Sequence, residues 1–126
     1  LAIKDWSLEV LATGDERYLQ EAQQTAEGSY RFFLKPQPTV KGEMNFYPSS
    51  PWFNVILFRG LKALYLVDRN DTYVKAMIDN VDYAWRYTRD ENGLLNRDWS
   101  GNKKDQFKSL LENSCMIELY SEISEL

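Results

Sequence analysis

At 126 residues, 44% of them apolar and 14% aromatic, the chain has the length and composition of one folded domain and is too apolar to be disordered. Its formal net charge of -4 leaves no basic footprint, which makes nucleic acid and anionic membrane surfaces poor partners. There is no histidine, so Ser-His-Asp and Cys-His catalysis and histidine-ligated zinc are excluded within this sequence, and carboxylates are the strong acid-base groups left.

Residues 1–12, LAIKDWSLEVLA, set Ile3, Leu8, Leu11 and Ala12 among polar positions and predict a helix without a capping residue ahead of it, a helix entered partway. Thr13-Gly14-Asp15 breaks it, and Asp15 is placed to N-cap a second helix over 16–34. There Tyr18, Leu19, Ala22, Ala26, Tyr30 and Phe33 recur at helical spacing opposite Glu16, Gln20, Gln23 and Glu27, giving one dry side and one wet side. Pro36, Pro38, Gly42 and Pro48 then punctuate what reads as a long loop over 35–50, and loops of that length usually serve a function.

The next helix, 51–69, is the most apolar stretch of the chain. Ser50 can cap it and Pro51 suits its first turn. Phe53, Val55, Ile56, Leu57, Phe58, Leu61, Leu64, Leu66 and Val67 cover its circumference, so it is expected to have no solvent face. At about 28 Å it would run the depth of a domain, while Asn54, Arg59 and Lys62 make it too polar to span a membrane. Gly60 in its middle predicts close approach of a neighbouring helix.

After a short turn at Asp68-Arg69-Asn70, with Asn70 or Asp71 as cap, a helix over 72–89 shows the stripe Tyr73, Met77, Val81, Ala84, Trp85 and Thr88. Lys75, Asp79, Asn80, Asp82 and Arg86 lie on its expected wet face. Asn92-Gly93 marks a stop, the loop GLLNRDWSGNKK follows, and a last helix over 105–124 is expected to bury Phe107, Leu110, Leu111, Ser114, Cys115, Leu119 and Ile123, its arc widened by Met116, Ile117 and Tyr120. Cys115, the only cysteine, cannot form an internal disulfide and reads as a small core hydrophobe.

A shift of 55 residues lays GDERYLQEA on RNDTYVKAM, matching Asp15 to Asn70, Tyr18 to Tyr73 and Leu19 to Val74. Each unit is a broadly apolar helix, a tight turn and an amphipathic helix opening on a tyrosine. Broadly apolar helices are inner and amphipathic ones outer, so the inner-to-outer turns are short and the outer-to-inner connections long. All long connections then fall on one rim, beside the N-termini of the inner helices, and a binding site is expected there.

The strings ATGDERYLQEA, PWFNVILFRGLKALY, VDYAWRYTRDENGLLNRDWSG and LLENSCMIELYSEI resemble, in order and spacing, the C-terminal half of glycoside hydrolase family 76, across essentially the whole chain. The resemblance implies an all-α fold whose helical hairpins form part of an (α/α)6 toroid, with five helices here and residues 1–126 as the C-terminal portion of one catalytic domain. It implies a retaining enzyme acting on α-1,6-linked mannose, with a mannan glycan as partner, no cofactor or metal, and export from the cytoplasm. The family's adjacent aspartate pair is implied to lie in the N-terminal half; this sequence has no Asp-Asp, and no catalytic residue is carried over. Asp79 and Asp82, the nearest helical pair of carboxylates, belong to a solvated face.

What carries over is sugar contact on the long-loop rim, where aromatic platforms and fixed polar groups suit a pyranose. The substrate-binding candidates are Trp52 and Asn54 in the first turn of the third helix and Asp98 and Trp99 in the second long loop, with Phe46 and Tyr47 behind them. The alternatives are a non-catalytic carbohydrate-binding or scaffold protein of helical hairpins, and another toroid sugar enzyme such as an epimerase or an unsaturated uronyl hydrolase. The 55-residue period and one-sided long loops favour a toroid over a solenoid of shorter repeats. Five helices leave a ring of twelve open, so apolar flanks on the first and last helices are expected to drive self-association.

Overall fold

The computed structural model describes residues 2–126; Leu1, the expected first residue of the opening helix, lies outside them. Five helices, α1 (Ala2–Thr13), α2 (Glu16–Phe33), α3 (Pro51–Asp68), α4 (Thr72–Tyr87) and α5 (Leu110–Ser124), accompany one antiparallel strand pair, β1 (Lys35–Thr39) and β2 (Gly42–Phe46). α1, α3 and α5 pack side by side as an inner layer, α2 lies against α1 and α3, and α4 lies against α3. Mostly helical and two layers deep, the chain is a sector of an α/α toroid.

The inner helices run parallel. Arg59 pairs with Glu118, and Lys62, one turn on, donates to the Glu122 carboxylate at 2.9 Å and to Glu125 at 2.6 Å, so progress along α3 is matched by progress along α5. Burial alone would lower the Lys62 pKa, but hydrogen bonds to Glu125 and Glu122 outweigh it and hold the ammonium above its ordinary value. On the other side α1 comes close at Gly60, where an added Cβ would stand 3.4 Å from the Ile3 Cβ.

The local signals at the helix starts act as expected. Asp15 accepts the Arg17 N–H at 2.9 Å at the start of α2, and Ser50 accepts the Phe53 N–H at 3.4 Å at the start of α3. Before α4 it is Asn70 that accepts the Thr72 N–H, at 3.1 Å, so the residues matched by the 55-residue shift make the same bond to the N–H two residues on.

Four expectations are corrected. The 35–50 connection contains a β-hairpin. Its prolines hid it, yet Pro36 and Pro38 alternate with Lys35, Gln37 and Thr39, so the missing N–H groups fall on the edge turned away from β2. α3 is not enclosed on all sides: Trp52 and Leu66 are exposed and Arg59 half-exposed, a stripe turned away from the outer layer. Asn80, expected on the wet face of α4, is buried, whereas Trp85 of the expected dry stripe is half-exposed.

The last correction concerns α5, which starts at Leu110 because Asp105 serves another purpose. Its carboxylate accepts the Arg97 N–H at 2.9 Å and braces the preceding loop, while Ser109 caps the helix through the Glu112 N–H at 3.3 Å. Phe107, expected in the core, is therefore 82% exposed, and Leu110, Leu111 and Ser114 are exposed as well. Leu110, Leu111 and Ile117 give α5 an open apolar flank, and Leu8 and Leu11 do the same for α1.

Candidate functional site

Both long connections meet on one rim, and buried amides hold them there. Asn80 of α4 accepts the Tyr47 N–H and donates to the Asn45 carbonyl, both at 2.9 Å, which satisfies the backbone where β2 runs out of partners. The Tyr83 hydroxyl accepts the Val40 N–H at 3.2 Å at the hairpin tip, and its ring packs edge-on to Phe46 with centroids 5.6 Å apart. Asn54, fully buried in the first turn of α3, donates to the Pro48 carbonyl at 2.8 Å, and its Oδ1 has no protein partner.

The second connection, between α4 and α5, is built on side-chain turns. Asp98 accepts the Ser100 N–H at 3.0 Å and hydroxyl at 2.6 Å through one oxygen and the Lys103 N–H at 2.9 Å through the other. Asn113 of α5 grips the backbone on both sides, its Oδ1 taking the Leu95 N–H at 3.0 Å and its Nδ2 giving to the Leu95 carbonyl at 3.4 Å. Trp99 is only 2% exposed, and its indole N–H points at the Met116 sulfur 3.3 Å away. Asn102 closes the two connections onto each other by donating to the Pro38 carbonyl at 2.9 Å.

At this junction lies a depression of 270 Å³ walled by Phe32 and Phe33 at the end of α2, Lys35 and Gln37 of β1, Tyr47 and Asp98. It combines aromatic rings, an amide, an ammonium and a carboxylate, a mixture suited to a polyhydroxylated ring. Burial, with the Tyr30 and Tyr73 phenols nearby, pushes the Tyr47 phenol well above its usual range, so it stays protonated at neutral pH.

No protein-family model matches the sequence, and no curated protein matches it. Solved structures do. A family 76 glycoside hydrolase (mannosidase) from Bacteroides thetaiotaomicron VPI-5482 superposes with a TM-score of 0.87 at 25% identity over 97% of the chain. A family 76 glycoside hydrolase from a bovine Bacteroides thetaiotaomicron strain superposes with a TM-score of 0.88 at 27% identity over 98%. The chain resembles the family 76 glycoside hydrolases. It spans 34% of the first structure and 28% of the second, about a third of their length.

Within this family 76-like sector the four candidate residues separate. Trp52 is 56% exposed at the rim end of the open α3 stripe, and Asp98 lines the depression half-exposed. Trp52 is not part of that depression; its neighbour Phe53 packs at a tilt of 57° against Phe33, which does line it, with centroids 4.9 Å apart. Asn54 and Trp99 are corrected: with 0% and 2% exposure they offer a ligand no surface and instead hold the rim together. Phe46 and Tyr47, 3% and 4% exposed, line the depression from its interior side.

Sequence reading missed Phe32, Lys35 and Gln37. Phe32 falls off the apolar stripe of α2, where an unexplained exposed phenylalanine beside Phe33 was the available signal, and the other two became visible only with the hairpin. Among the described residues no group of three or more cysteine and carboxylate side chains could hold a metal ion, and no helix is long and apolar enough to cross a membrane.

Proposed function

We propose that the chain is a C-terminal sector of a single α/α-toroid domain, residues 1–126 here, of an exported glycoside hydrolase that cleaves α-1,6-linked mannose with retention. The observation that carries this reading is the superposition of nearly the whole chain on two family 76 structures, at TM-scores of 0.87 and 0.88. The rim chemistry supports it, since Phe32, Phe33, Gln37 and Asp98 offer ring faces and hydrogen-bonding groups together. Retaining hydrolysis needs two carboxyl groups about 5 Å apart across the scissile bond. Asp79 and Asp82 are not that pair, for each is exposed on the outer layer and bonded to a cation one turn away, Lys75 and Arg86. This sector therefore contributes sugar contacts, and the catalytic pair belongs to another sector.

The test is glycan binding and turnover measured together. α-1,6-Mannooligosaccharides should bind the chain, and Trp52→Ala and Asp98→Asn should each weaken binding about tenfold, or about 1.4 kcal/mol. Hydrolysis should require a longer protein with adjacent aspartates. Binding without hydrolysis in such a protein would favour the non-catalytic alternative, and failure to bind mannan would remove the carbohydrate reading.

A further inference from the structure

The 55-residue shift that lays Asp15 on Asn70 also lays the two outer helices on each other. Gln23, Ala26, Glu27 and Tyr30 of α2 fall on Ile78, Val81, Asp82 and Trp85 of α4, and Arg31 falls on Arg86. Side-chain bonding repeats with it: Glu27 accepts from Arg31 at 2.7 Å, and Asp82 accepts from Arg86 at 3.0 Å, each partner one turn on. On α2 this face is covered by the start of α4. The Tyr73 hydroxyl, in the first turn of α4, donates to the other Glu27 oxygen at 2.6 Å, and its ring stands edge-on to Tyr30 with centroids 5.4 Å apart.

On α4 the equivalent residues form one wall of an open groove of 480 Å³, faced by Tyr120 and Ile123 of α5. Trp85, in the place of Tyr30, is half-exposed, and the Arg89 guanidinium 3.8 Å from its ring centroid fixes the plane of the ring. In the first unit Gln23 donates to Asp68 at 3.1 Å, a polar contact between the layers. The counterparts Ile78 and Ile123 are both apolar, so the second groove is the drier one. A dry groove with a carboxylate at its edge fits an amphipathic helix that presents an apolar stripe and one hydroxyl donor.

The repeat supplies the source of that helix. In both units an apolar inner helix leads through a tight turn into an amphipathic helix with a tyrosine in its first turn, Tyr18 and Tyr73, and α5 is a third inner helix. We propose that the groove seats a further outer helix of the same polypeptide, following α5, with a first-turn tyrosine. Its hydroxyl donates to Asp82 and its ring packs against Trp85, as Tyr73 does with Glu27 and Tyr30. This helix rests on the toroid part of the proposed function and is independent of its sugar chemistry.

A copy of 72–89 appended directly after Leu126 keeps the 55-residue register and tests the fit. The extended chain should gain helical circular dichroism, elute as a monomer and melt at least about 5 °C higher than the 126-residue chain. Tyr73→Phe in the appended copy alone and Asp82→Ala in α4 should each weaken this gain. Together they should show a coupling of about fivefold in the folding equilibrium measured in urea. A copy whose stripe is broken by Met77→Glu and Val81→Glu should give no gain. An appended copy that stays unfolded, or equal stabilisation by the broken stripe, overturns the proposal. Stabilisation without coupling between the tyrosine and Asp82 overturns the tyrosine assignment, and a persistent dimer of the extended chain shows that a second copy of the chain covers the groove instead. Glycan binding is measured separately on the 126-residue chain, so failure of the carbohydrate reading leaves these outcomes unchanged.

Discussion

Asn80 and Tyr47 are joined where an outer helix meets the end of a strand. The amide oxygen accepts the Tyr47 N–H at 2.9 Å while its nitrogen reaches the Asn45 carbonyl at the same distance, so one buried side chain replaces a third strand at this point of the hairpin. The rim depends on it, because Tyr47 and Phe46, whose strand this amide anchors, wall the depression.

Asn80→Ala should therefore cost about 2 kcal/mol, chiefly from leaving the buried Tyr47 N–H without a partner. Urea denaturation measures the loss. Hydrogen exchange should show the Tyr47 amide opening first, ahead of the α3 core amides, because the hairpin loses its anchor while the helices keep theirs.

Trp99 provides the sharpest separation between packing and ligand contact. Trp99→Ala should destabilise the chain by about 3–5 kcal/mol in chemical denaturation, as loss of a buried ring does, whereas an exposed sugar platform would cost roughly 0.5 kcal/mol or less. Trp52→Ala should be near neutral for stability, since more than half of its surface is already in solvent.

Two tyrosines predict the response to alkali. Burial pushes the phenols of both Tyr73 and Tyr120 up to about 12 from an ordinary 10.0; hydrogen bonding to Glu27 adds to it for Tyr73 and the charge of Asp82 for Tyr120. The folded state keeps protons that the unfolded chain has already released above pH 10. Stability from these groups is therefore full below pH 10 and is lost as the pH rises toward about 12. Ultraviolet titration of tyrosinate should show their ionisation delayed past that of exposed tyrosines, and Tyr120→Phe should flatten the alkaline fall in stability.

The open flank of α5 should govern association. Ile117 borders an apolar groove of 480 Å³ with Ile78, Trp85, Tyr120 and Ile123 and is 72% exposed. We propose that the isolated chain self-associates through this surface, as a contiguous exposed apolar patch favours. Ile117→Lys should shift its elution in size-exclusion chromatography toward the monomer with little change in unfolding free energy.

Local chemistry made much of the helical scaffold legible. Asp15, Ser50-Pro51 and the 3.6-residue stripes mark helix starts and dry faces through interactions confined to a few neighbouring residues, and the matched Asp15 and Asn70 make equivalent bonds. The hairpin was not legible, because Pro36 and Pro38 break the local strand signal and its stability comes from Asn80, Tyr83 and Asn102, which are distant in sequence. For the same reason Asn80 read as a surface polar residue until extended backbone was laid across it.

The candidate site divides along the same line. Sequence by itself determined that long connections cluster on one rim and that Asp98 and Trp52 stand on it, because hydrophobic periodicity sets the alternation of inner and outer helices. Tertiary structure alone decided that Trp99 and Asn54 face inward and that Phe32 and Lys35 join Asp98. The physical reason is that a loop side chain has no periodic partner to declare its direction. Burial there is settled by which distant backbone groups and rings need covering once the helices have packed.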